Sequence, residues 1–190
     1  MDIGKTFYTS SRAEWRTWLA QNYNTEKEIW LVYYRKETGK PRIPYNDAVE
    51  EALCYGWIDS IQKKLDEERF VQRFSPRNKN SGLSQANRER IIRLIAQKKM
   101  TPAGLAAVAH AFKPGAEKMD DFTIPPDILD ALKANTIVWD NFIKFPESYR
   151  RVRVAYIDSR RHHGREMFEK SLRHFIRMTA MNKRIGFIRE

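Results

Sequence analysis

The sequence predicts an α+β fold: a small, mostly antiparallel sheet packed by helices, followed by a C-terminal helical subdomain. Three observations predict it. Residues 28–35, 57–64 and 69–74 concentrate β-branched and aromatic residues, and the last two runs are separated by the polar tetrad Leu65-Asp-Glu-Glu68. Apolar residues recur at helical spacing in the segments between these runs. Beyond Pro126 every apolar pattern has the helical period and no strand-like run remains.

The elements follow in order. Ser11-Arg-Ala-Glu14 has the form of a capping box, in which Ser11 accepts from an early backbone N–H and Glu14 reaches back. A helix over 12–22 then places Trp15, Trp18 and Leu19 on one face. Glu28 to Arg35 is apolar on both faces, as in a strand covered on both sides. Gly39, Pro41 and Pro44 break the chain, and a second helix from Tyr45 carries the stripe Ala48, Val49, Ala52 and Leu53 until Gly56 closes it. Trp57–Lys64 and Arg69–Phe74 form a hairpin that Pro76 ends. Ser84 caps a helix to about Gln97, with Ile91, Ile92, Leu94 and Ile95 inward and Arg88, Arg90 and Arg93 outward. Thr101-Pro102 starts the next helix, which runs to about Phe112. Short helices around Ile128–Leu132 and Val138–Ile143 and longer ones over 147–160 and 165–182 complete the chain. The implied organisation is an α+β domain over 1–115, a linker over 116–126 that follows Gly115 and holds a Met-Asp-Asp cluster, and a helical subdomain over 127–190.

At 190 residues, 42% hydrophobic and 31% charged, the chain is long enough to bury a core and has an ordinary globular composition. No run approaches the ~20 apolar residues that span a bilayer. No secretory h-region precedes the first helix, so cytoplasmic residence is expected. Cys54 is the single cysteine, which excludes an internal disulfide; buried packing is expected of it. His110, His162, His163 and His174 have no zinc-ligand spacing, and neither a metal nor a cofactor is expected. The net charge of +11 is uneven: residues 144–190 hold 13 Lys or Arg against 5 Asp or Glu, a balance of +8.

Several uncommon residues recur in an order that marks a family: Trp15 and Trp18-Leu19, Ile29-Trp-Leu-Val32, Ala52-Leu-Cys-Tyr-Gly-Trp-Ile-Asp-Ser60, Arg73-Phe-Ser-Pro-Arg77, Ser81, Ser84, Asn87-Arg88 and Met100-Thr-Pro-Ala-Gly-Leu105. The stretch from Trp15 to Leu105 resembles the YdeI or OmpD-associated family, also called bacteriocin-protection proteins, and the helical tail is similar to that family's tail region. The resemblance implies a role in stress, bacteriocin or antimicrobial-peptide tolerance and a connection to an outer-membrane porin. It implies no reaction, cofactor or catalytic residue. Because the sequence shows no export signal, the porin connection is expected to be indirect.

Candidate sites come from the polar letters among these aromatics. Asp59 lies in an aromatic strand, where a carboxylate is costly unless Arg73, Arg77 or a backbone N–H neutralises it. Trp57, Asp59, Arg73, Ser75, Arg77 and Asn87 therefore form a candidate pocket for a small polar or anionic ligand, with a lock between hairpin and helix as the plainer alternative. The loop 75–82, with Arg77 and Lys79, is a second candidate anion holder or else a solvated connector. In the basic tail, Arg160, Arg161 and Arg165 are candidates for following a phosphate backbone, with solvated helix faces as the alternative. Three functions remain open at this point: a non-catalytic binding protein in stress tolerance, a nucleic-acid or anionic-polymer binder working through the C-terminal helices, and an enzyme using Asp59 as a base.

Overall fold

The computed structural model describes residues 2–78, 80–111 and 122–186, with the side chain of Ala111 left out. Lys79, Gly115, the Met-Asp-Asp cluster and most of the expected linker lie outside the described residues. The chain divides into two compact units, Met1–Leu83 with Arg90–Ala116, and Ser84–Glu89 with Glu117–Glu190.

The first unit is the α+β part. Its strands are β1 (Thr6–Tyr8), β2 (Ile29–Tyr34), β3 (Trp57–Lys64) and β4 (Arg69–Pro76), in the spatial order β1-β2-β4-β3. β2 pairs antiparallel with β4, and β4 with β3, as the hairpin reading requires. β1 is an addition: it runs parallel to β2 in the register Thr6↔Trp30, Phe7↔Leu31, Tyr8↔Val32. Three residues with one half-buried side chain carry too little period-two signal to stand out in sequence.

One face of the sheet supports the main core. Leu31, Trp57 and Phe74 meet Trp15 and Leu19 of α1 (Arg12–Asn22), Ala52 and Leu53 of α2 (Tyr45–Cys54), and Leu94 of α3 (Gln85–Ala96). On the other face Trp30, Val32 and Val71 form a smaller cluster, so β2 is buried on both sides, as its composition demands. α4 (Pro102–Val108) starts at the Thr101 cap and continues as a 3-10 turn over Ala109–Ala111. It packs backbone to backbone on the end of α2. Thr101 donates to Cys54 O from both N (3.1 Å) and Oγ1 (2.6 Å), and a Cβ at Gly104 would lie 2.2 Å from that same oxygen. Only glycine permits this approach.

The expected capping box at α1 is half realised. Ser11 Oγ accepts from the Glu14 N–H at 3.3 Å, but the Ser11 N–H donates to Thr9 Oγ1 at 2.9 Å rather than to Glu14. Glu14 accepts from Thr9 Oγ1 at 2.6 Å, so Thr9 intervenes between the two halves of the motif.

The second unit is helical: α5 (Pro126–Lys133), α6 (Thr136–Lys144), α7 (Glu147–Ser159) and α8 (Arg165–Ala180), with a 3-10 turn at Arg160–His163. Ile128, Leu132, Phe142, Val154, Ile157 and Phe175 centre its own core. Among the described residues, no helix is long and apolar enough to cross a membrane.

Candidate functional site

In the first unit the side-chain alternation of the sheet decides what meets Asp59. Asp59 pairs across the ladder with Phe74 and shares the core-facing side of the sheet. Arg73 pairs with Trp30 and points to the other side. There it binds Glu28 at 2.6 Å and approaches Ser60 Oγ and Ser75 Oγ at 3.3 and 3.5 Å. The Arg73 hydrogen bond comes first among the causes that hold the Glu28 carboxyl below the usual carboxylate range. Arg77 is buried and donates to the carbonyls of Ser81 (3.0 Å) and Gly82, closing the loop 77–82 around itself. Its burial lowers its pKa. The expectation that Arg73 or Arg77 neutralises Asp59 is therefore corrected: one faces the wrong side and the other is held by loop carbonyls.

Asp59 instead accepts a 2.7 Å hydrogen bond from the hydroxyl of Tyr45, the first residue of α2. Burial and this bond both raise the Tyr45 pKa. A cation close enough to interact with it is Arg90 of α3, whose charge is penalised by burial and supported by Tyr45 and Asp59. Arg90 also donates to Asn46 Oδ1 at 2.9 Å. The helical period had placed Arg90 and Arg93 outward; both turn to α2, Arg93 pairing with Glu50. Of the other expected ligand residues, Trp57 is buried with its Nε1–H on Tyr23 O at 3.0 Å. Asn87 lies in the segment grouped with the second unit, where its N–H donates to the Ser84 cap at 3.3 Å.

Sequence reasoning missed an ion-pair network on α2. Glu50 and Glu51, 3% and 2% exposed, lie inside an apolar stripe. Glu51 binds Arg12 and Arg16, each at 2.5 Å, while Arg12 also reaches Asp47 at 2.8 Å and Glu50 at 3.1 Å. The visible signal was Arg12 and Arg16 one helical turn apart, matched by Asp47, Glu50 and Glu51. Cys54, one turn further on, is buried, and burial is the first cause that pushes its thiol up to about 11. It is a packing residue in geometry.

In the second unit the three arginines chosen for a polyanion differ from one another. Arg161 Nη2 donates to both oxygens of Asp127 (2.8 and 2.7 Å), its Nε donates to Asp158 at 2.8 Å, and its guanidinium lies 3.8 Å from the Phe168 ring centre. Arg165 binds Glu169 at 2.7 Å. Arg160 makes no ion pair among the described residues and packs on Tyr156. It lines a pocket of about 220 Å³ between α7 and α8, together with Arg153, Lys170 and His174.

Residues 7–107, more than half of the chain, match the family model described as a domain of unknown function (DUF8412). The chain belongs to this family. Residues 121–182 match a second model, described as Bacteriocin-protection, YdeI or OmpD-Associated, so the helical unit carries a YdeI/OmpD-associated domain. The family resemblance is thus upheld on the helical tail, while the aromatic block from Trp15 to Leu105 that also carried it falls in the DUF8412 region. No curated protein and no solved structure gives a match. In the DUF8412 unit the prominent polar residues are occupied with holding the fold. The open cationic chemistry lies in the YdeI/OmpD-associated unit.

Proposed function

We propose that this protein is a cytoplasmic, non-catalytic binding protein that serves tolerance to stress and to bacteriocins or other antimicrobial peptides. The observation that carries the reading is the match of residues 121–182 to the family described as bacteriocin-protection, YdeI or OmpD-associated. The structure supports it chemically, since that unit holds the pocket with Arg153, Arg160, Lys170 and His174 on its walls. In the other unit, Asp59 is bonded to Tyr45, Arg73 to Glu28 and Arg77 to loop carbonyls, which gives these residues structural employment. Any connection to a porin acts indirectly in this reading.

The test is survival. A bacteriocin-sensitive bacterium expressing the full chain is challenged alongside cells carrying empty vector, and the protein is followed through cell fractionation. The expected result is severalfold higher survival with the protein in the soluble cytoplasmic fraction. Equal survival at matched expression contradicts the tolerance role.

A further inference from the structure

Two antiparallel stretches of the YdeI/OmpD-associated unit line its pocket at helical spacing. Arg153, Tyr156, Ile157 and Arg160 form one face at the end of α7, and Met167, Lys170, Ser171 and His174 face them from α8. Four of the lining residues carry basic side chains, and among the described residues no carboxylate lines the pocket. Among the described residues neither Arg153, Arg160 nor Lys170 belongs to an ion pair, although carboxylates on the same helices pair with Arg151, Arg161, Arg165 and Arg173.

The two arginines are held in place without being satisfied. Their guanidinium carbons lie 5.5 Å (Arg153) and 5.7 Å (Arg160) from the centre of the Tyr156 ring, so one phenol carries both cations. Arg153 also packs on Tyr149 at 5.8 Å, and against Gly186, where a Cβ would fall 1.7 Å from its Nη2. Both Nε atoms are buried and have no hydrogen-bond partner among the described residues. A buried N–H left unmade is costly, and native structures keep few of them. His174 adds a donor: its Nδ1 lies 3.2 Å from Arg177 Nη2, a contact in which it must accept, so the proton of the neutral ring sits on Nε2.

We propose that this pocket binds a small organic anion, a carboxylate or phosphate head on an apolar body. The head accepts from the guanidinium groups, from Lys170 and from His174, supplying the negative charge that the walls lack. The body contacts Ile157, Met167, Phe175 and Ile185, the apolar part of the lining. At about 220 Å³ the cavity is smaller than the roughly 300–1,000 Å³ of sites for drug-sized molecules, which restricts the body to about one ring or a short aliphatic chain. The inference deepens the binding reading and rests on it, but not on the tolerance role.

The test uses the full chain with three probes followed by calorimetry and amide NMR: phenyl phosphate and benzoate, which carry head and body; inorganic phosphate, which is head alone; and benzyl alcohol, which is body alone. The expected result is saturable binding of phenyl phosphate or benzoate, with shifts at Tyr156 and Ser171 and weaker affinity at higher salt. Inorganic phosphate should bind at least about tenfold more weakly, and benzyl alcohol should not bind. Arg160→Gln should weaken phenyl phosphate or benzoate by roughly tenfold or more, the scale of one hydrogen bond to a charged group. Lys170→Gln, at an exposed position where folding is not at risk, should weaken it severalfold. Failure of both organic anions to bind, equal binding of inorganic phosphate, or wild-type affinity in both variants overturns the proposal. A survival benefit that persists while no organic anion binds removes the pocket assignment and leaves the tolerance role standing.

Discussion

The two units differ in what holds the arginines at their candidate sites. In the DUF8412 unit Arg12 and Arg16 reach the nearly inaccessible Glu51, Arg73 reaches Glu28 and Arg77 wraps itself in two carbonyls. Each of these cations bonds a local acid or carbonyl, so removing one strands a partner, although Arg12 Nη2 and Arg77 Nε are also buried without a partner among the described residues. In the YdeI/OmpD-associated unit Arg151 and Arg161 also find acids, whereas Arg153 and Arg160 are fixed by aromatic packing and have no ion pair among the described residues. The lesson is that a basic residue marks a site by the partner it lacks, and the +8 balance of residues 144–190 does not by itself say which arginines those are.

The largest effect tests whether the first unit is held by packing before charge. Trp15 is fully buried, stacks on Trp18 at 5.3 Å, meets Phe74 edge-on at 5.4 Å and donates to Ala48 O at 3.0 Å. Trp15→Ala should cost about 3–5 kcal/mol in urea unfolding. Next comes the matched charge itself. Glu51→Ala leaves two half-shielded guanidiniums without their shortest partner, and its cost should be about 2–3 kcal/mol, below the full value for a buried pair because Arg12 and Arg16 stay 28% and 36% exposed. Arg77→Gln should cost about 1–2 kcal/mol and increase amide exchange across residues 80–82. If Glu51→Ala and Arg77→Gln were neutral, the contrast between the units would vanish.

The smallest effect is a pH dependence. Arg73 is the first cause of the lowered Glu28 pKa, with Trp30 Nε1 adding a 3.0 Å bond. A carboxylate whose folded pKa lies below its ordinary 4.5 contributes stability that is present above that value and lost as pH falls through the folded pKa. Arg73→Gln should therefore flatten the acid limb of the stability profile below about pH 4.5, with little change in the slope above it.

The elements were largely legible in the sequence because each had a local cause. Ser84 and Thr101 cap α3 and α4 as their letters require, and Ala48, Val49, Ala52 and Leu53 fall inward as the helical period demands. β1 was missed because its pairing with β2 is set by the sheet and not by its three residues. The site was less legible. Asp59 was found as an unusual carboxylate, but its partner depends on strand register, which places Arg73 on the opposite side and brings Tyr45 across from α2. Arg160 stands out in sequence only as one of three basic residues, and no local pattern joins it to Arg153 and Tyr156, which build the pocket with it. Which guanidinium finds a carboxylate depends on side-chain neighbours from two helices, and neither sequence contains that alone.

The most direct measurement is hydrogen exchange across α7 and α8 in the double variant Arg153→Gln/Arg160→Gln, compared with the wild-type chain without added ligand. Among the described residues these arginines pair with no carboxylate and contribute only packing on Tyr156, so protection of the two helices should change little when they are replaced by glutamine. A clear loss of protection would mean that the pair is held for stability, as the arginines of the DUF8412 unit are, and would contradict the account.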